Sequence, residues 1–288
     1  HTDLIHRFSD HFVTTIDLCS QYWAISTDYI CQKYTNFWYD KQVYSFTRLP
    51  MGYANSSYIA QSASELCYGQ ATMIKFLKHK NWTQGSSEWP FYDISELLIV
   101  YLDDLCLTTD KKYTSKIHLN ALEFILFATK IYGFKIGKNK FHPFVSSFKF
   151  LGHFFSVEKS TNSIPPDRLK AFKEFRSPAS CAETLSRLGV LSYYRKYVPL
   201  LSLLAAPLND MANSGKFKWE RVHQLAWKTI LLVASMGFEL YVIDKHKPVY
   251  FTTDSSQISV AYFAFQVING EIRVICMDSR ILKSADRN

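Results

Sequence analysis

Apolar and polar residues alternate in short bursts near the start of the chain and settle into three-to-four-residue spacing further on. Residues 12–16 form a β-prone run that ends at Asp17, and residues 96–109 place an apolar run, two aspartates and a second apolar run in succession. The second pattern predicts a β-hairpin with acids at its tip. Between the two, residues 56–77 space small, apolar and polar side chains at helical intervals, while residues 81–90, with Gly85, Ser86, Ser87 and Pro90, predict an exposed loop. Residues 114–132 carry Ile117, Leu119, Leu122, Ile125 and Leu126 at helical positions, and Gly133 stands where a C-cap falls. Strand, helix, hairpin, helix is the order of an α+β sheet domain.

Beyond Ser156 the pattern changes. Pro165-Pro166-Asp167 precedes residues 168–175, Pro178 precedes residues 183–197, and Pro199 precedes residues 200–211, so three short packed helices are expected. Residues 219–238 are again helical. Residues 249–253, 260–267 and 272–277 are β-rich with a turn at Asn269-Gly270, which starts a second sheet. The pattern is still running at Asn288 and position 1 is histidine, so the expectation is a piece of a longer polypeptide.

At 288 residues the chain has room for two or three compact units, and 48% hydrophobic with 16% aromatic residues argues for packed cores and against disorder. Lys and Arg number 33 against 25 Asp and Glu, a formal charge of +8 that favours polyanionic partners, acidic proteins as well as nucleic acid. The six cysteines lie far apart with no C-x-x-C pair and no histidine at zinc-ligand spacing, so they read as reduced and mostly buried. No apolar run reaches the ~18 residues of a membrane span and no leader opens the chain. The expected location is therefore intracellular, in cytoplasm, virus-like particle or nucleus, with no membrane partner. The sequons at Asn55 and Asn81 need a secreted context and read as chance matches.

Nucleotidyl transfer to a 3′-hydroxyl uses two Mg²⁺ ions a few ångströms apart, one at the nucleophile and one at the triphosphate. Magnesium takes a few carboxylate oxygens together with water and substrate phosphate, so two or three aspartates at neighbouring strand ends suffice. Asp17 with Asp103 and Asp104 would supply them. An Asp-Asp pair taken alone more often caps a turn.

The surroundings of these acids resemble the reverse transcriptases of long-terminal-repeat retrotransposons, the Ty3/gypsy-like group and its retroviral relatives. Thr15-Ile16-Asp17-Leu18-Cys19-Ser20-Gln21-Tyr22 is similar to the family's first metal motif. Ser45-Phe46-Thr47-Arg48-Leu49-Pro50-Met51-Gly52-Tyr53 is similar to its substrate-binding turn, and Tyr101-Leu102-Asp103-Asp104 to its catalytic hairpin. Residues 135–140 followed by Phe150-Leu151-Gly152-His153-Phe154-Phe155-Ser156 resemble the lysine-bearing loop and the primer grip. Residues 188–199 with Ala206-Pro207-Leu208 resemble the thumb helices. Phe251-Thr252-Thr253-Asp254-Ser255-Ser256 and Met277-Asp278-Ser279-Arg280 resemble the opening strands of a ribonuclease H domain. The matches fall in the family's order over nearly the whole chain.

The resemblance implies a right-hand polymerase palm, an antiparallel sheet with helices, with partial fingers over residues 1–156 and a helical thumb over 157–213. A linker helix over 214–243 and the truncated start of a ribonuclease H-like α/β domain over 244–288 follow. It implies an RNA-directed DNA polymerase of a Pol polyprotein that uses Mg²⁺, or Mn²⁺ in its place, deoxynucleotides and an RNA or DNA template-primer. Asp17, Asp103 and Asp104 become the catalytic carboxylates and metal ligands, joined by the backbone carbonyl of Leu18. Tyr22 becomes the aromatic under the incoming sugar that excludes a 2′-hydroxyl. Met51 and Gly52 line the nucleotide, Gly52 permitting close backbone approach. Lys140, with Lys138 beside it, either sets a cation near the departing pyrophosphate or is simply solvated. Gln61 either touches the template or lies on a solvated face. Tyr101, Leu151, Gly152, His153, Tyr194, Arg195 and Lys196 are the implied nucleic-acid contacts, with at least half of the thumb aromatics expected in the core. Asp254 is the first ribonuclease H carboxylate, and that activity is expected to be missing without the acidic helix that follows in the family.

The sequence departs from the family's pattern at Ser57 and Ala60, where proline and an aromatic are usual, and over residues 78–96, which look long. Gln21 replaces a common glycine. These departures leave a catalytically silent, domesticated nucleic-acid-binding module as the competing reading. An RNA-dependent RNA polymerase is disfavoured by Tyr22.

Overall fold

In a computed structural model, which describes residues 8–282, the run ending in Asp17 becomes β1 (His11–Cys19). Val13, Thr14, Thr15 and Ile16 are all buried. Adjacent strand residues point to opposite faces, so four in a row mean that both faces are covered. A left-handed Ser20 turns the chain into α1 (Gln21–Ala24). Asp28 caps α2 (Tyr29–Lys33), and an exposed hairpin of β2 (Asn36–Tyr39) and β3 (Gln42–Ser45) follows. The helical spacing over 56–77 resolves into two helices, α3 (Ser56–Cys67) and α4 (Gln70–Lys80). The junction fits only glycine, because a Cβ on Gly69 would lie 2.4 Å from the carbonyl oxygen of Glu65.

Residues 81–90 form the expected loop, exposed over much of its length, but its far end is anchored in the core. Trp89 is fully buried, its ring edge-on to Phe76 at 5.8 Å and to Phe124 at 6.0 Å, and Phe91 follows it inside. The expected hairpin forms from β4 (Leu98–Tyr101) and β5 (Asp104–Asp110). Next comes α5 (Ser115–Tyr132), ended by Gly133 at φ 73°. Ile117, His118, Ala121, Leu122, Phe124, Ile125 and Ala128 form its buried stripe, whereas Leu119 and Leu126 face outward. β6 (Lys135–His142) and β7 (Ser147–Phe150) complete this part. The sheet has the order β4-β5-β1-β6, antiparallel at every pairing, and α4 and α5 pack with it into one core around Ile16, Leu18, Leu105 and Leu107.

The chain divides into two units, and the one just described covers residues 10–150. Among the described residues, the other holds β8 (His153–Ser156), β9 (Thr161–Ser163), α6 (Pro166–Glu174), α7 (Cys181–Tyr193), α8 (Leu201–Asn213) and α9 (Arg221–Ser235). β10 (Leu240–Tyr241) pairs with β9, which pairs with β8. Pro166 opens α6 as expected, but α7 is capped by Ser180 and stops at Tyr193, where a 3-10 turn, Arg195–Tyr197, takes over. The helices share a core of Phe172, Leu188, Leu191, Tyr194, Tyr197, Leu208, Trp227 and Ile230.

The final antiparallel sheet runs β11 (Tyr250–Ser255), β12 (Ser259–Ile268) and β13 (Glu271–Ile281). Asn269 and Gly270, at φ 54° and 80°, make the anticipated two-residue turn. The two compact units meet at 150/151, and residues 151–282 belong to one of them. β13 is joined to the helices by Val274 and Met277 packed against their core, by Ser202 Oγ donating to the Ser279 carbonyl at 2.7 Å, and by Arg195 pairing with Asp278 at 2.8 Å.

All six cysteines are free, but only Cys67 and Cys106 are buried, and Cys31 is exposed. Among the described residues no helix is long and apolar enough to cross a membrane.

Candidate active site

The register of β1 against β5 sets Asp17 directly opposite Asp104, and Tyr101 faces Asp104 from the other side. Leu102 and Asp103 form the two-residue turn between β4 and β5. Leu102 adopts φ 50°, a left-handed conformation that costs a non-glycine residue about 1–2 kcal/mol. The turn persists because its polar groups are held. Leu18 N donates to the Asp103 carbonyl at 2.8 Å. Leu102 N donates to Gln61 Oε1 at 2.6 Å, and Gln61 Nε2 donates to the Val100 carbonyl at 3.1 Å. The Leu102 carbonyl accepts from Gln21 Nε2 at 3.1 Å and from Ser64 Oγ at 3.0 Å. Gln61 is therefore half-buried and engaged with the hairpin backbone. Gln21 and Ser64 were missed as site residues. The one available signal was that Gln21 stands where a glycine is common.

On the other edge of β1 the pairing with β6 breaks at Asp17. Ile16 pairs with Phe141 and Leu18 with Ile136, so residues 137–140 bulge opposite the single residue Asp17. Gly137 makes the bulge possible, since a Cβ there would lie 2.9 Å from both Cys19 Sγ and Lys140 Cδ. The bulge lays Lys140 over Asp17, and its ammonium donates to both carboxylate oxygens at 2.7 Å. That partner raises the Lys140 pKa above its ordinary value. Burial, joined by the charges of Asp103 and Asp17 and opposed by Lys140, pushes the Asp104 carboxyl up to about 6. A recess of about 150 Å³ opens here, lined by Asp17, Asp104, Lys140, His142 and Lys149.

Like charges directly across a strand pair repel, so Asp17 and Asp104 call for a cation, and a lysine ammonium already stands at one of them. That chemistry fits a divalent ion held by few carboxylates. Among the described residues, however, no three acidic, histidine or cysteine side chains close around one point. Lys140 holds both oxygens of Asp17, and Asp103 acts on Asp104 and Lys140 through its charge.

Tyr22 is half-buried in α1 and donates to Ser57 Oγ at 3.2 Å, which gives the unusual Ser57 a role. The turn after β3 is fastened by Leu49 N to the Ile25 carbonyl at 3.0 Å and by Ser56 Oγ to the Pro50 carbonyl at 2.7 Å. Beyond it Met51 is exposed, and Gly52 at φ 89° has open space where a Cβ would be.

In the second unit the implied nucleic-acid contacts are largely engaged. Leu151 and Gly152 both have positive φ, and their carbonyls accept from Tyr193 at 2.6 Å and Tyr194 at 3.1 Å. His153 stacks on Tyr193 at 5.3 Å and meets Tyr197 Oη at 3.2 Å. Burial, with Lys196 nearby, holds His153 neutral at about 4, and burial brings Lys196 down to about 8. Tyr194 and Tyr197 are core, whereas Tyr193 is exposed. Arg195 is turned to Asp278 and the Ser279 carbonyl. Asp254 lies on β11 beside an apolar cavity of about 360 Å³ that Asp278 also lines.

Residues 4–155 match the family described as "Reverse transcriptase (RNA-dependent DNA polymerase)". The Pol polyprotein of the transposon gypsy from Drosophila melanogaster is 26% identical over 290 residues, covering 96% of this chain and 25% of the relative. The Pro-Pol polyprotein of feline foamy virus is 25% identical over 230 residues, covering 78% of this chain and 17% of the relative. The chain thus spans about a quarter or less of these relatives. A foamy viral protease-reverse transcriptase solved with an RNA/DNA hybrid superposes with a TM-score of 0.73 at 20% identity, covering all of this chain and 36% of that one, a likeness of fold.

Proposed function

Because this chain belongs to the reverse transcriptase (RNA-dependent DNA polymerase) family, we propose that Asp17, Asp103 and Asp104 form the nucleotidyl-transfer site of an RNA-directed DNA polymerase. The observation that carries the reading is the register pairing of Asp17 with Asp104 beside a constrained Leu102-Asp103 tip, with Lys140 over Asp17. Asp17 and Asp104, with Asp103 and the Leu18 carbonyl adjoining, would hold Mg²⁺ or Mn²⁺. Bound there, the ion favours ionisation of the primer 3′-hydroxyl and offsets triphosphate charge.

The side chains of this site have separate tasks. The carboxylates orient the reacting groups from a rigid sheet. Lys140 is the cation available to the leaving pyrophosphate, where negative charge develops in the transition state. Tyr22 packs against the sugar, and the Met51-Gly52 backbone borders the base. Primer-template, deoxynucleotides and the remainder of a Pol polyprotein are the partners on this reading, and β11–β13 with Asp254 open a ribonuclease H-like domain.

Primer extension on an RNA template tests the proposal, comparing wild type with Asp103→Asn and deoxynucleotides with ribonucleotides. Asp103-dependent DNA synthesis is expected. Its absence in wild type rejects polymerase function.

A further inference from the structure

Gln21 is 2% exposed and sits at the start of α1, immediately behind the hairpin tip. Its Nε2 faces three acceptors: the Leu102 carbonyl at 3.1 Å, the Ala60 carbonyl at 3.0 Å and Ser64 Oγ. Two of these belong to α3 and one to the strained turn, so a single amide joins the helix to the tip. Its Oε1 is buried and has no hydrogen-bond partner among the described residues. Leaving such an oxygen unpaired costs about 1–3 kcal/mol, which an apolar side chain filling the same space would avoid. A glycine at this place would make none of these bonds. The side chain's contribution is therefore the donor, aimed at a carbonyl whose residue is in an unfavourable conformation.

We propose that Gln21 is a positioning residue of the polymerase site. With Ser64, it fixes the Leu102 carbonyl while Gln61 fixes the Leu102 N–H, so that the left-handed turn holds Asp103 and Asp104 in register with Asp17. Both polar groups of one residue are gripped by side chains of α1 and α3. A carboxylate pair that must meet phosphate oxygens tolerates little drift, and a supporting shell loose by an ångström is expected to slow chemistry by up to about 100-fold. The inference rests on the polymerase reading for its consequence, but the grip itself is measurable without turnover.

The test compares wild type with Gln21→Met, which keeps length and loses the donor. Hydrogen exchange over residues 98–106 is followed in the metal-free protein, and single-nucleotide incorporation is measured per titrated active site. Faster exchange at the tip is expected, together with a kcat at least about tenfold lower and a KM for nucleotide within about twofold. Unchanged exchange overturns the proposal, as does a rate loss due wholly to fewer active molecules. If wild type shows no synthesis while Gln21→Met still loosens the tip, the polymerase reading fails and the positioning stands. Should Gln21→Met not fold, Ser64→Ala removes the second donor from the same carbonyl and is judged by the same two readouts.

Discussion

Lys140 and Asp17, 123 residues apart in sequence, form a two-point contact, with one ammonium donating to both carboxylate oxygens at 2.7 Å. The lysine thus competes with any divalent ion for Asp17. Lys140→Gln is expected to tighten Mn²⁺ binding several-fold in the absence of nucleotide, read by paramagnetic resonance titration. The same change should slow single-turnover incorporation by roughly 10²–10³-fold, the range for loss of a positioned proton donor or charge. Unaltered Mn²⁺ affinity would show that the ammonium is not the resident cation.

Asp104 titrates near 6, above its ordinary 3.8. A carboxyl raised on folding binds protons more tightly in the native state, so its ionisation opposes folding above pH 6, and that opposition fades as pH falls towards 4. Asp104→Asn should accordingly raise the melting temperature of the metal-free protein at pH 7.5, give little gain at pH 4, and abolish synthesis. Equal melting curves at pH 7.5 would contradict the strain assigned to this acid.

His118 lies in the core between Thr14 Oγ1, 2.7 Å from Nε2, and Thr109 Oγ1, 2.8 Å from Nδ1, and burial pushes its pKa down to about 4. The depressed value means that stability is fully present above pH 6.5 and is lost as pH falls from 6.5 to 4, by up to about 3 kcal/mol. His118→Gln should flatten that slope in urea titrations at pH 7 and pH 4.5, although its absolute stability will be lower. A variant with the wild-type slope would place the acid sensitivity elsewhere.

Arg195 and Asp278 are both partly solvated, so a double-mutant cycle should return no more than about 1 kcal/mol of coupling. Because the guanidinium is turned to Asp278, Arg195→Ala should leave the salt dependence of duplex binding unchanged. A slope reduced by about one unit would mean that Arg195 reaches a phosphate after all.

The parts of the fold that were legible were those where local pattern and burial agree. Asn269-Gly270, Gly133 and the hairpin carrying Asp103 and Asp104 fall where the chain's own turn chemistry puts them. The failures have physical causes. Trp89 sits in a stretch rich in glycine and serine that reads as solvated, yet aromatic edges from two helices enclose it. In α5, His118 points inward and Leu119 outward, because two threonine hydroxyls on the sheet satisfy the imidazole. At the site, the acids were readable from their motifs. The Lys140 contact depends on strand register, and the Gln21–Ser64 grip depends on a helix crossing behind the turn, neither of which is written in local spacing.

The bulge that sets four residues, 137–140, against Asp17 has a consequence for how this site tolerates change in length. Strand side chains alternate faces with a period of two, so deleting one residue there would swing Lys140 to the opposite side of the sheet. Replacing the exposed Lys138 or Asn139 would leave its position intact. The segment behaves as a spacer, in which residue count meters the charge that Lys140 delivers to Asp17, and Lys138 and Asn139 are free to vary.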